Sequence, residues 1–109
     1  MSKPFVAINY ISCEPGYQER FEELFATRAK AIDKMPGFRF MEVLKPEEDG
    51  ADYLIMSHWD SEDQFTAWTK SEEFREGHKR GFEDIIKARE EGRKSPMTSK
   101  FKTYKVISD

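Results

Sequence analysis

The stretch Phe5-Val-Ala-Ile-Asn-Tyr-Ile11 is an almost continuous apolar run with the length of one β-strand. Such a run predicts an inner strand covered on both faces, because a half-exposed strand would alternate apolar and polar residues. Asn9 is the exception, and the two-residue period places it on the same face as Ala7 and Ile11. A buried carboxamide without a partner costs of order 1–3 kcal/mol, so we expect Asn9 to bond either nearby backbone or a ligand.

Turn residues and apolar periodicity divide the rest of the chain into further elements. Glu14-Pro-Gly16 ends the first strand, and Met35-Pro-Gly37 ends a predicted helix. Ser61 and Gln64 match a capping box at the start of a short helix, and Ser71 is placed to cap a longer one. The predicted elements are a strand at 5–11, a helix at 17–34, strands at 38–44 and 53–59, a short helix after 61, a helix from 71 to about 89, a mobile lid-like loop at 90–99 and a strand at 101–107.

The predicted order is β-α-β-β-α-β, with the second helix split in two. This is the ferredoxin-like α+β arrangement, in which helices cover a single face of one four-stranded antiparallel sheet. The other face is expected to be too apolar for water, so we expect a homodimer in which two sheets pack face to face. The strand residues expected to make the sheet too apolar for open water are Val6, Ile8, Tyr10, Met41, Val43, Leu54 and Met56.

Length and composition exclude several classes of protein. The 109 residues predict one domain, 1–109. The formal net charge of -3 argues against nucleic acid as the main partner, and no apolar run approaches the roughly 18 residues of a membrane span. Cys13 is the only cysteine and the first residues form no signal-peptide-like apolar run, so we expect a cytoplasmic protein.

The stretch from Phe65 to Phe82 carries one of the two histidines and one of the two tryptophans. Helical winding puts an imidazole in an apolar stripe beside positions where missing side chains leave room for something flat. A lone histidine on such a face is more often a hydrogen-bonded core residue than a ligand, and Trp68 by itself is more often a core anchor. The stripe consists of Phe74, His78, Gly81, Phe82 and Ile85, with Gly77 beside the histidine.

Asn9, Trp68 and His78, taken together, resemble the site residues of the IsdG-type haem-degrading monooxygenases. These enzymes belong to the antibiotic-biosynthesis-monooxygenase superfamily of dimeric α+β barrels. The resemblance runs through nearly the whole chain. It rests on Phe25-Ala-Thr-Arg28, Gly37-Phe38, Trp59-Asp-Ser61, Gln64-Phe-Thr-Ala-Trp68, Ser71-Glu-Glu-Phe74, His78-Lys79 and Ser95-Pro96.

The resemblance implies oxygen-dependent opening of haem with release of iron, haem being both substrate and cofactor. It implies that His78 is the axial ligand of the iron, that Trp68 presses the porphyrin out of plane, and that Asn9 donates a hydrogen bond on the ligand side of the iron. Dioxygen and electrons are required, and the sequence has no flavin or nicotinamide fingerprint, so a separate reductase or small reductant is implied. The residues implied to cover the porphyrin are Phe65, Phe74, Gly81, Phe82 and Ile85.

Two other functions remain open at this stage. One is a haem-binding or storage protein without turnover, and the other is a cofactor-free monooxygenase of the same superfamily that acts on a quinol or polyketide. In the second case Asn9 and Trp68 would contact an organic substrate. His58 is the rival iron ligand, but alternation places it with Leu54 and Met56, so we expect it at a dimer interface or on the surface.

Overall fold

The computed structural model describes residues 4–109, so positions 1–3 of the predicted domain lie outside the described part. The predicted order of elements is confirmed, including the split second helix. None of the helices between residues 4 and 109 combines the length and apolar character needed to cross a bilayer. The elements are β1 Phe5–Cys13, α1 Gln18–Ala26, a 3₁₀ turn Ile32–Lys34, β2 Phe38–Leu44, β3 Tyr53–Trp59, α2 Glu62–Thr69, α3 Glu72–Glu90 and β4 Met97–Lys105.

The four strands form one sheet in the order β2-β3-β1-β4, and every neighbouring pair is antiparallel. The apolar strand β1 is therefore an inner strand, as its sequence predicts. Residues directly opposite each other share a face of an antiparallel sheet. Asn9 stands opposite Ile55 on β3 and Phe101 on β4, so these three residues form one row across the helix-covered face.

Two apolar clusters fill the space between sheet and helices. Ala7 belongs to the cluster around Trp59, and Ile11 belongs to the cluster around Phe21. Trp59 is completely buried, and its indole N–H donates to Ser57 Oγ at 3.0 Å. Since Asn9 lies between Ala7 and Ile11 on the same face of β1, the two clusters meet the sheet on either side of a polar residue.

The first helix ends at Ala26, so the prediction of a helix to residue 34 is wrong. The Oγ1 of Thr27 donates to Glu23 O at 2.8 Å, and Arg80 of α3 donates to Leu24 O at 2.9 Å and to Thr27 O at 3.0 Å. A continuing helix would have needed the carbonyls of Leu24 and Thr27 for its own N–H groups. A contact with α3 therefore helps end α1, and local sequence does not reveal it.

Strand β2 contains an irregularity that reverses the predicted facing of its residues. Phe38 stands opposite Trp59, but Phe40 stands opposite His58, so the chain bulges at Arg39. An extra residue shifts every following side chain to the other face of the sheet. The expectation that Met41 and Val43 share the outer face with Val6 is therefore wrong. Both face the helices, and the outward residues of β2 are Phe40, Glu42 and Leu44.

Strand β4 begins at Met97, four residues earlier than predicted, and the expected lid at 90–99 is correspondingly wrong. Residue 90 ends α3, and 97–99 are paired with β1, where Met97 stands opposite Cys13. The preceding turn is also attached, since the N–H of Glu14 donates to Pro96 O at 2.8 Å. The composition of this segment is typical of a loop. It forms a strand because it pairs with β1, which is distant in sequence.

Ser61 and Ser71 cap α2 and α3 as predicted, but the Gln64 half of the predicted capping box does not form among the described residues, because Ser61 Oγ donates to Gln64 Oε1 at 3.0 Å. Ser61 Oγ accepts from the Gln64 N–H at 3.4 Å, and Ser71 Oγ accepts from the Phe74 N–H at 3.1 Å. Ser71 also donates to Trp68 O at 2.7 Å. Because Ser71 bonds the end of α2 and the start of α3, it holds Trp68 close to the first turn of α3.

Replacing Gly37 with alanine is expected to destabilise the fold by about 2 kcal/mol, because Gly37 has φ +81° and an added Cβ would overlap the Gln64 carboxamide. Gly16→Ala is the matched control. Gly16 has φ +91° but no atom within 4 Å of an added Cβ, so only the backbone cost of about 1 kcal/mol is expected. Chemical denaturation measures both. Equal losses would show that Gln64 moves aside without cost.

Candidate functional site

A cavity of about 470 Å³ lies between the helices and the helix-covered face of the sheet. This volume is within the roughly 300–1,000 Å³ of sites for small molecules and cofactors. Its floor is the sheet, and its walls come from α1, α2, α3 and the segment before the 3₁₀ turn. All the site residues predicted from the sequence line it: Asn9, Phe65, Trp68, Phe74, His78, Gly81, Phe82 and Ile85.

Asn9 lines this cavity and carries a buried oxygen. Its Oδ1 is shielded from solvent and has no hydrogen-bond partner within residues 4–109. The possibility that neighbouring backbone satisfies this atom is therefore not realised. A carboxamide offers either a carbonyl acceptor or an amide donor depending on how the group is turned. The inner strand β1 thus carries an unpaired polar side chain in a floor that consists mainly of apolar residues, with Ser57, Thr98 and Ser99 as further polar ones.

His78 is held in a defined tautomer by its own helix. Its Nδ1 lies 2.7 Å from Phe74 O, and because a carbonyl only accepts, Nδ1 must carry the proton. In the neutral ring Nε2 then holds the lone pair. Burial lowers the pKa of His78, against the opposing effect of the bond to Phe74 O, so the ring is neutral at pH 7. A neutral imidazole with Nε2 unprotonated is the form that binds a metal.

Aromatic rings hold the imidazole plane in place. Phe74 stacks on His78 with centroids 4.0 Å apart and planes at 25°, and Phe82 lies 5.5 Å from His78 on the next turn at 24°. Trp68 packs edge-on to Phe74 at 5.2 Å and lies 6.1 Å from His78. Phe74, His78 and Phe82 follow one another at intervals of four residues along α3, as the helical period of the sequence predicts. Trp68 reaches the same cluster from α2.

The two glycines of α3 form part of the cavity wall. A Cβ at Gly77 would lie 3.6 Å from Trp68 Cη2, which is ordinary contact. A Cβ at Gly81 would lie 3.2 Å from Met97 Cε, which is tight. Each glycine costs a helix interior about 1 kcal/mol relative to alanine. In return, the missing side chains leave space beside His78.

Sequence reasoning missed the cations that line the cavity. Arg28, Lys30 and Arg80 line it, and the set of lining residues contains no aspartate or glutamate. Arg28 makes a bidentate pair with Asp33, with Nη1–Oδ1 at 2.8 Å and Nη2–Oδ2 at 3.2 Å, and this pairing lowers the pKa of Asp33. Because the sequence predicts that α1 continues to residue 34, Arg28 and Lys30 are assigned to a helix and not to the cavity. The presence of Arg28 in the motif that carries the family resemblance was the available signal.

His58 lies on the opposite face of the sheet, as alternation predicts. It stands opposite Val6 and Phe40, and it stacks on Phe40 with centroids 4.0 Å apart and planes at 15°. Its Nε2 is buried and has no partner within the described chain. His58 is therefore separated from the cavity by the sheet, which leaves His78 as the histidine that lines it.

Residues 4–80 match the antibiotic biosynthesis monooxygenase family. The haem oxygenase (mycobilin-producing) of Mycobacterium tuberculosis is 37% identical over 65 residues, 60% of this chain and 62% of that protein. This chain thus covers less than two thirds of the length of that relative. The haem oxygenase (staphylobilin-producing) of Staphylococcus haemolyticus is 36% identical over 76 residues, 68% of this chain and 72% of that protein.

Solved structures with the same fold include a haem-degrader, MhuD of Mycobacterium tuberculosis, with two haems bound in its active site. It is 26% identical with a TM-score of 0.69, over 96% of this chain and 97% of that one. SnoaB, a cofactor-independent oxygenase from Streptomyces nogalater, has a TM-score of 0.71 at 18% identity, over 98% of this chain and 96% of that one. At 18% identity, the match to SnoaB shows a shared fold and no more.

Acid is expected to destabilise the protein through His78. Burial places its native pKa below the ordinary 6.5, so the unfolded chain binds more protons as the pH falls through that value, and the free energy of unfolding decreases. This stability is fully present above about pH 6.5 and is lost below it. Denaturation from about pH 7.5 to 5 should show a steeper loss for the natural chain than for His78→Gln. Parallel pH profiles would contradict the burial effect.

Proposed function

Because the chain belongs to the antibiotic biosynthesis monooxygenase family, we propose that it is a haem-degrading monooxygenase. It opens the porphyrin ring of haem with dioxygen and releases the iron, and haem serves as both substrate and cofactor. The observation that carries this proposal is that Asn9, Trp68 and His78, distant along the chain, line one apolar cavity. The relatives named as haem oxygenases support it.

The chemistry of the cavity fits a haem. One imidazole is enough for an iron that a porphyrin already holds through four nitrogens, and His78 supplies that imidazole in its neutral form. The aromatic and aliphatic walls suit the porphyrin faces. The cations Arg28, Lys30 and Arg80 suit the carboxylates at one edge of the ring. An apolar ligand with an acidic edge matches both features.

His78 is the proposed iron ligand, through Nε2. Its Nδ1 is bonded to Phe74 O, and this second bond fixes the tautomer and raises the basicity of the ligating nitrogen. The rings of Phe74 and Phe82 on either side keep the imidazole plane from rotating. The side chains proposed to cover the porphyrin are Phe65, Phe74, Phe82 and Ile85, with Gly81 leaving space beside them.

Trp68 is proposed to act as a rigid wall. It is 6% exposed, and its ring is packed against Trp59 at 6.4 Å and Phe74 at 5.2 Å. A close-packed indole has little room to move. If a flat ligand is pressed against it, the ligand bends and the indole does not. We propose that this contact distorts the porphyrin.

Asn9 is proposed to orient the reacting species. Its Oδ1 has no competing partner in the described chain, so the carboxamide can turn its N–H toward a group on the iron. A donor fixed on an inner strand costs no reorganisation when charge develops beside it. Haem supplies the iron at which dioxygen is reduced, and the protein supplies position and hydrogen bonding.

The electrons are proposed to come from a separate reductase or a small reductant. The sequence has no flavin or nicotinamide fingerprint, and haem consumption requires reducing equivalents in every turnover. A cytoplasmic location fits this requirement, since such reductants are maintained there and the single cysteine needs no oxidising compartment. We propose that residues 1–109 form the single domain that carries this activity.

Hemin should bind with an iron–imidazole Soret band that disappears when ascorbate is added in air. His78→Ala is expected to abolish the imidazole-ligated spectrum, whereas His58→Ala should preserve it because His58 lies across the sheet. A Soret band that persists under turnover conditions would favour a haem-storage protein. Absence of haem affinity, with oxygen uptake on a quinol or polyketide, would favour the cofactor-free alternative.

Replacing Asn9 with leucine is expected to separate stability from activity. Removing an unpaired buried oxygen should leave the free energy of unfolding unchanged or raise it by about 1 kcal/mol. Hemin should still bind, because His78 is intact, but the Soret band should decay about 10- to 100-fold more slowly. Denaturation, hemin titration and single-turnover spectra measure the three effects. An unchanged decay rate would remove Asn9 from the mechanism.

The outer face of the sheet supports a homodimer. On the inner strands β1 and β3 the outward side chains are mostly apolar, while the edge strands add Glu42, Lys100 and Lys102 to the same face. Apolar outward side chains of the edge strands are substantially exposed, such as Phe40 at 48% and Tyr104 at 42%. Their neighbours on the same face include Ile8, Leu54 and Met56. A contiguous apolar sheet face of this kind is normally covered by another element or subunit. We propose that a second copy of the chain covers it.

Leu54→Glu is expected to convert the dimer to a monomer, because it puts a charge on an inner strand of the proposed interface. Ile86→Glu is the matched control, since Ile86 is 49% exposed on α3, and it should leave the dimer intact. Sedimentation equilibrium distinguishes the two states. A natural chain that sediments as a monomer would contradict the proposed dimer.

A further inference from the structure

Lys30 has a backbone conformation that needs an explanation. It is the only residue other than glycine with positive φ in the described chain 4–109, at φ +59°. The left-handed region costs a residue with a Cβ about 1–2 kcal/mol, and such strain collects at functional sites. Lys30 lines the cavity, in the segment where α1 fails to continue.

The surrounding segment is anchored on both sides of Lys30. Before it, Arg80 Nη1 bonds Thr27 Oγ1 at 2.8 Å and Nη2 bonds Thr27 O at 3.0 Å. After it, the N–H of Asp33 donates to Lys30 O at 3.2 Å and begins the 3₁₀ turn. The left-handed residue is thus held between two attached segments.

The three cations of the cavity differ in how they are engaged. Arg28 is paired bidentately with Asp33, and Arg80 is bonded to the end of α1. The side-chain ammonium of Lys30 makes no hydrogen bond or ion pair with any residue between 4 and 109, although its charge contributes, after that of Arg28, to the low pKa of Asp33. Two cations share one carboxylate here. The ammonium of Lys30 therefore has charge and hydrogen-bonding capacity left for an anion.

We propose that Lys30 is the residue that binds a carboxylate of the ligand, a propionate of haem under the function proposed above. The strained turn places a flexible cation at the edge of an apolar cavity whose lining has no acidic residue. The porphyrin ring is nearly symmetric apart from the edge that carries its carboxylates. One ion pair with Lys30 would hold that edge at this side of the cavity. Lys30 is in this sense a specificity-determining residue, because it orients the ring relative to Asn9 and Trp68.

Hemin and hemin dimethyl ester, in which the propionates carry no charge, provide the test. Lys30→Gln should weaken binding of hemin about 3- to 10-fold, the range of one partly exposed ion pair, and should leave binding of the ester unchanged. Lys30→Arg should restore most of the affinity for hemin. Lys34→Gln is the matched control, since Lys34 is an exposed lysine in the next turn that does not line the cavity.

Lys30→Gly separates binding from backbone strain. Glycine adopts φ +59° readily, so this variant should melt at a higher temperature than the natural chain and still lose affinity for hemin. Equal losses for hemin and its ester, or an affinity for hemin that Lys30→Gln does not change, would overturn the role of Lys30 alone. Failure of the natural chain to bind hemin would overturn the proposed function and the role of Lys30 with it.

Discussion

The carboxamide of Asn9 in the middle of an apolar strand is the constraint on which the site depends. Ala7 and Ile11, on the same face of β1, each belong to a separate cluster of the core, and Asn9 lies between them. The Oδ1 of Asn9 is buried without a partner in the described chain, and this burial costs free energy of desolvation. The cavity is the space between the clusters, and helix α3 lines that space with an imidazole and aromatic rings.

Polar contacts join α3 to α1, two of the helices that line this space. Arg80 binds the carbonyls of Leu24 and Thr27, and Asp84 accepts from Tyr17 Oη at 2.6 Å and from Arg20 Nε at 3.1 Å. These contacts hold α3 to the end of α1 at Leu24 and Thr27, and to its start at Tyr17 and Arg20. Burial raises the pKa of Asp84, but the hydrogen bonds from Tyr17 and Arg20 lower it by more, so the pKa lies below its ordinary value. The cavity is thus framed by polar contacts while its walls stay apolar.

Locally unfavourable features are concentrated around this cavity. Asn9 has an unpaired buried oxygen, Lys30 has a left-handed backbone, and Gly77 and Gly81 weaken the helix that carries His78. Each costs about 1 kcal/mol or more, and none improves the packing of the fold itself. Such departures from local consistency are expected where a protein makes room for a ligand. Their coincidence with the proposed iron ligand supports the assignment of the site.

The sequence by itself determined the element order, both helix caps at Ser61 and Ser71, the inner position of β1 and the stripe that carries His78. These features depend on residues within a few positions of one another, so periodicity and capping reveal them. Only the tertiary structure decided where α1 ends, which way Met41 faces, how early β4 begins and that Lys30 reaches the cavity. The end of α1 depends on Arg80, and the other three depend on strand register, turns and packing between distant segments. Local patterns do not encode these partners, and tertiary contacts override local preference where the two disagree.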